Sequence, residues 1–170
     1  MGSANVTFNN VTFDYYPNVN YTGLQHSGNL VYNNCIINGQ VFLYGQSETF
    51  NGCTFNQTGA DAYNVWTYGA KTVAFNNCTF NQNSADAYNV WTYGAKNVEF
   101  NKCEFISAGK SVLVYSEDKN LVNNVEVNET TFTATETVSG KAAIEIDTSL
   151  TSGANIEIND STATGFDAGS

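Results

Sequence analysis

Three features of this 170-residue chain predict an all-β fold, a parallel β-helix of about seven coils with about 25 residues per coil. The first is a direct repeat: residues 57–81 and 82–106 are identical at 18 of 25 positions. The second is a six-residue turn signature, apolar-Asn-x-small-x-apolar, which occurs seven times. The third is a period of two in the segments beside it. Asn97-Val98-Glu99-Phe100 and Asn155-Ile156-Glu157-Ile158 alternate polar with apolar, as a strand with one buried face does.

In chain order the signature spans Phe8–Phe13, Tyr32–Ile37, Phe50–Phe55, Phe75–Phe80, Phe100–Phe105, Val127–Phe132 and Ile158–Ala163. Successive copies lie 24, 18, 25, 25, 27 and 31 residues apart. A unit of this size holds about three short strands. It is too short for a four-stranded propeller blade and lacks the framework of a leucine-rich repeat. Coils stacked at about 4.8 Å would make a rod roughly 30–35 Å long.

Stacking turns sequence columns into ladders. Asn9, Asn33, Asn51, Asn76, Asn101, Asn128 and Asn159 fill one column without exception. Their expected role is structural, because side-chain amides can bond along the stack and Asn tolerates the left-handed conformation of a sharp corner. The Asn-x-Ser/Thr triplets at Asn5, Asn10, Asn56, Asn77 and Asn128 are read as by-products of this turn grammar. Cys35, Cys53, Cys78 and Cys103 share a small inward column with Val11, Thr130 and Ser161. Buried free thiols are expected, since parallel in-register side chains make a strained disulfide and no CxxC pair offers a zinc site.

Composition narrows function. The chain has 25 Asn, 14 Gly, six Leu and one Pro, which favours turns and strands over helices. Its formal net charge is -10, and none of its six cationic side chains is an arginine. Nucleic acid is therefore excluded as an expected partner, and anionic membranes are poor ones. No stretch approaches the roughly 18 apolar residues of a membrane span. Met1-Gly2-Ser3 reads as an expression scar, residues 4–165 as the β-helix and 166–170 as a disordered tail. The near-identity of the two repeats fits a recent duplication or a deliberate one.

The FNNCTF-like units, the Asn column and the uneven spacing resemble the right-handed parallel β-helix family, the pectin-lyase-like superfamily. They are most similar to β-helix segments of adhesin-like prokaryotic surface proteins. The resemblance covers residues 4–165 and implies a secreted or cell-surface setting. This scaffold carries lyases, hydrolases, adhesins and inert stalks, so it implies fold more than activity.

Register gives the candidate site. Aligning Asp86–Tyr93 with Gly109–Ser116 and Gly140–Asp147 sends Val41, Val65, Val90, Leu113 and Ile144 inward. Val73, Val98, Val125 and Ile156 are also expected inside, as are Phe75, Phe100, Val127 and Ile158. Trp66, Trp91, Val114 and Glu145 then face outward, as do Tyr68, Tyr93, Ser116 and Asp147. Matching Gly45 to Gly69 and Gly94 adds Phe42 and Tyr44. Phe42, Tyr44, Trp66, Tyr68, Trp91 and Tyr93 are expected to pave one exposed face. Flat rings suit a glycan or a protein partner, or a self-association face.

The catalytic alternatives are thinner. A polysaccharide lyase on this fold typically uses arginine, which is absent. A hydrolase needs two carboxylates in opposed roles, and Asp61 and Asp86 are stacked repeats of one turn residue. His26 is the sole histidine and is read as a surface or packing residue, and Lys71 and Lys96 as solvated corner residues. Glu99, Glu126 and Glu157 stack like charges but do not supply the six to eight oxygens calcium takes. No cofactor and no metal are expected. The favoured expectation is a non-catalytic segment that acts in adhesion or carbohydrate binding. The alternatives are a carbohydrate-active enzyme and an engineered solenoid with no ligand function.

Overall fold

The computed structural model describes residues 4–14, 28–57, 59, 63–67, 70–116, 123–138, 140–147 and 154–167. Among them there are strands and turns but no helix. The first strands are β1 (Asn5–Asn9), β2 (Thr12–Asp14), β3 (Asn29–Asn33), β4 (Ile36–Asn38), β5 (Val41–Phe42) and β6 (Ser47–Asn51). The central ones are β7 (Thr54–Gln57), β8 (Val65–Trp66), β9 (Thr72–Asn76), β10 (Thr79–Gln82), β11 (Tyr88–Trp91) and β12 (Asn97–Asn101). The last are β13 (Glu104–Ser107), β14 (Lys110–Val114), β15 (Asn123–Asn128), β16 (Thr131–Val138), β17 (Ile144–Ile146), β18 (Ala154–Asn159) and β19 (Thr162–Phe166).

These strands form three sheets in which every pairing is parallel. The first sheet orders β1-β3-β6-β9-β12-β15-β18, and the second runs from β2 through β4, β7, β10, β13 and β16 to β19. The third is five-stranded, β5-β8-β11-β14-β17. Each strand therefore pairs with its counterpart one coil away, which is the wiring of a β-helix.

The turn signature is the corner between the first and second sheets. Its leading apolar residue and Asn end one strand, and its closing apolar residue lies in the next. In the bore, Phe8, Tyr32, Phe50, Phe75 and Phe100 stack at centroid spacings of 5.1, 4.4, 5.2 and 5.2 Å. Phe55, Phe80, Phe105 and Phe132 form a second stack at 4.7, 4.5 and 4.8 Å. The two stacks meet edge to face, as in Phe75–Phe80 at 5.2 Å. Edge-to-face and offset rings each add about 0.5–1.5 kcal/mol beyond their burial.

The Asn ladder is complete. Asn33, Asn51, Asn76, Asn101, Asn128 and Asn159 each donate Nδ2–H to the Oδ1 of the ladder Asn one coil before, at 2.8–3.0 Å. The left-handed corner itself belongs to the following residue, not to the ladder Asn. Asn10, Asn34, Gly52, Asn77, Lys102, Glu129 and Asp160 carry φ between 48° and 61°. The ladder Asn remains in the strand, where its side chain can face its neighbours.

The four thiols are free and buried, as expected. Their column has a chemical reason beyond size. Cys53, Cys78 and Cys103 Sγ donate to the carbonyls of Tyr32, Phe50 and Phe75 at 3.3–3.5 Å. Thr130 Oγ1 reaches the equivalent Phe100 carbonyl at 3.4 Å and lies closer to Asn128 O in its own coil, at 2.9 Å. A small S–H or O–H donor thus adds a hydrogen bond at each of these corners, beside the backbone bonds such as Lys102 N–H to Asn128 O. Burial pushes the Cys35 thiol up.

Two features of the bore depart from the expected columns. In the third sheet Val90 pairs with Val112, and Val112 with Ile144, so the expected alignment was one residue out at β14. Val112 and Val114 face the core, while Leu113 lies in the Trp91 column. The slip arises because Asn89 and Ser111 are buried beside Val90 and Val112, which breaks simple alternation at this corner. Second, a carboxylate does enter the bore: Glu48 is 1% exposed, between Leu30 and Val73.

Candidate functional site

The candidate face is the outer side of the third sheet. Inside, Leu43, Thr67, Thr92 and Val114 are buried, so the residues between them project away from the bore. Register stacks Phe42 on Trp66, Trp66 on Trp91 and Trp91 on Leu113, with Glu145 beyond. The outward placement of Trp66, Trp91 and Glu145 therefore holds. Val114 and Ser116 are buried instead, and Tyr115 takes the place beside Tyr93.

The rings form a continuous cluster. Trp66 and Trp91 stack at 4.5 Å with an interplanar angle of 12°. Phe42 closes the pair on one side at 4.7 Å from Trp66. Tyr93 lies across both indoles, 5.2 and 5.3 Å away, turned by 77° and 86°. Tyr115 packs on Tyr93 at 5.1 Å and on Trp91 at 5.5 Å. Tyr63 sits 4.9 Å from Trp91, and Tyr44 6.5 Å from Phe42. The Trp91 Nε1–H is shielded and has no hydrogen-bond partner. Tyr68 lies outside the described residues, as do Asp61 and His26.

This geometry revises the expected surface. Phe42 is 1% exposed although it is outside the core cluster, so it supports the face rather than forming it. Trp66, Trp91, Tyr93 and Tyr44 are partly exposed. Because the indoles stack on each other along the rod, their faces are largely taken, and with the Nε1 edge shielded only the rest of each ring is partly exposed. Tyr93 is the ring set across them.

Polar groups border the rings. Tyr88 pairs with Lys110 across the sheet. Lys110 Nζ donates to Tyr88 Oη at 2.5 Å and lies 3.2 Å from Glu145 Oε2, while Tyr88 O–H donates to Glu145 at 2.9 Å. Burial, then the Glu145 carboxylate, push the Tyr88 phenol well above its ordinary range. A phenol so held stays protonated and serves as a hydrogen-bond link rather than a base. Tyr63, Tyr88, Lys110 and Tyr115 were missed in the sequence reading. Tyr63 and Tyr88 carried a visible signal as duplicated residues, and Tyr115 was hidden by the register slip.

Two other candidates were brought together differently. Glu99, Glu126 and Glu157 do stack in register. With Asn97, Asn124 and Asn155 they line an open groove of about 610 Å³. Asn128 and Asn159 donate to Glu126 and Glu157 at 2.9 and 3.2 Å, which ties these carboxylates to the amide ladder. Among the described residues no three His, Cys, Asp or Glu side chains converge as metal ligands. Asp86 is exposed and lies 3.7 Å from the largely covered Lys141.

Comparison with known families agrees with the geometry. The family model described as "Right handed beta helix region" matches residues 38–170, and the chain belongs to that family. No curated protein and no solved structure matches the chain.

Proposed function

We propose that this chain is a non-catalytic β-helix segment of a secreted or cell-surface protein, and that it contacts carbohydrate through the outer face of the third sheet. The observation that carries this reading is the cluster of Tyr63, Trp66, Trp91, Tyr93 and Tyr115 outside the bore, where it does not close the core. Aromatic edges and the Tyr93 ring offer apolar contact to sugar C–H groups. Lys110 and Glu145 at the border offer hydrogen bonds to hydroxyls. The surface setting rests on the fold family and on the likeness of the turn units to adhesin-like segments. The protonated state of Tyr88 and its use in an ion-paired link favour binding over proton abstraction.

The test is a glycan array followed by calorimetry with the best hit. Binding should fall at least tenfold in the Trp91→Ala, Tyr93→Ala double variant, with its circular dichroism unchanged. Undiminished affinity in that variant would rule out this face. Turnover of a polysaccharide that Glu145→Gln abolishes would favour the enzyme reading instead.

A further inference from the structure

We propose that the two ends of the solenoid are complementary, and that a second copy of this chain stacks head to tail on the C-terminal end through its N-terminal coil.

The ladders have a direction. Along the corner ladder each bond runs from Nδ2 of the later coil to Oδ1 of the earlier one, as in Asn33 to Asn9 and Asn159 to Asn128, while the buried Asn64–Asn89 bond at the third sheet runs the other way. A second ladder, from Asn29 to Asn5 and from Asn155 to Asn124, runs the same way. The N-terminal end therefore presents the Nδ2 groups of Asn5 and Asn9 as donors, and the C-terminal end presents the Oδ1 groups of Asn155 and Asn159 as acceptors. The spacing agrees, since each pair is four residues apart. Laid in register, Asn5-Val6-Thr7-Phe8-Asn9 falls on Asn155-Ile156-Glu157-Ile158-Asn159. The left-handed corner of Asn10, at φ 56°, then falls on that of Asp160, at φ 48°.

The apolar surfaces match as well. The second sheet stacks Phe13, Ile37, Phe55, Phe80, Phe105 and Phe132 in one column, which ends in Ala163. The small alanine leaves an apolar hollow of about 240 Å³ beside Phe132, Ile144 and Ile158. Ile158 is 54% exposed there, and Ile146, in the last strand of the third sheet, is 48% exposed. In the same register Phe13 of the second copy lies over Ala163, where its ring restores the stack. The outer strands β1 and β2 meet β18 and β19 as parallel partners, which completes backbone bonds that edge strands leave open. Such a contact is heterologous and does not close, so it propagates into rods. Net charge opposes it at low ionic strength, and in about 1 M salt the Debye length falls to about 3 Å.

Sedimentation velocity of the 170-residue chain in high salt, with electron microscopy of the product, is the experiment. Growth with concentration into rods one solenoid wide is expected. Asn9→Asp keeps the acceptor for Asn33 but sets a carboxylate against Asn159 Oδ1, which blocks the N-terminal end. Ile158→Lys blocks the C-terminal end. Each variant alone should stay monomeric with native circular dichroism, and their mixture should stop at a one-to-one dimer. A wild-type chain that remains monomeric in high salt overturns the proposal. So does association that persists in both variants, which would place the contact elsewhere, such as on the aromatic face.

Discussion

Glu48 is the only buried acid among the described residues, and its environment makes stability depend on pH in an unusual direction. Its Oε1 accepts the Gly45 N–H at 2.6 Å, while Oε2 is buried with no hydrogen-bond partner. Burial outweighs the backbone donors and pushes the carboxyl from 4.5 up to about 7. The folded chain thus holds a proton between about 4.5 and 7 that the unfolded chain has released. Stability from this group is complete below about 4.5 and is gone once pH has risen through about 7. At about 1.36 kcal/mol per pKa unit, the loss is about 3 kcal/mol. Urea unfolding of wild type and Glu48→Gln across this range reads the effect as a difference, so other titrating groups cancel. The variant should gain relative to wild type as pH rises, by about 3 kcal/mol in all. Parallel profiles for the two proteins would refute a buried, proton-binding Glu48.

Gly109→Ala should destabilise by at least about 1–3 kcal/mol in chemical unfolding, because a Cβ there would stand 2.2 Å from the Ala85 carbonyl oxygen. Glu129→Gly should raise stability by a few tenths to about 1 kcal/mol. It relieves a positive φ, and the exposed pair with Lys102 at 3.6 Å contributes little. Deletion of residues 57–81 should leave a folded, shorter rod by circular dichroism, since Asn56 and Gln57 pair with Asn81 and Gln82 and the new junction reproduces an existing one. An unfolded product would contradict coil-by-coil independence.

The repeat grammar made most of the architecture legible. The turn signature located every corner between the first two sheets, because the apolar residues, the ladder Asn and the small donor each have one role there. The third sheet was harder. Asn89 and Ser111 are buried and bonded through Ser107 at 2.5 and 2.8 Å, so polarity no longer marks the outer side. That displaced Leu113, Val114 and Tyr115 by one position. Glu48 was legible in principle, two residues before Phe50 in the column of Val73 and Val98, but a charge at that place argued against its own register. The burial of Phe42 was not legible, because alternation gives direction and not what lies on top. The polar border was lost with the register, since Lys110 finds Tyr88 and Glu145 only when β14 is placed correctly.

The two tryptophans of the chain both lie in one outward column of the candidate face, so intrinsic tryptophan emission reports on that face alone. Fluorescence titration with a panel of soluble glycans, with acrylamide quenching of free and bound protein, tests the central claim most directly. A binding glycan should shift the emission saturably and protect it from acrylamide, with a midpoint matching calorimetry. A glycan that binds by calorimetry while emission and quenching stay unchanged would contradict the claim, as would a panel in which no glycan binds.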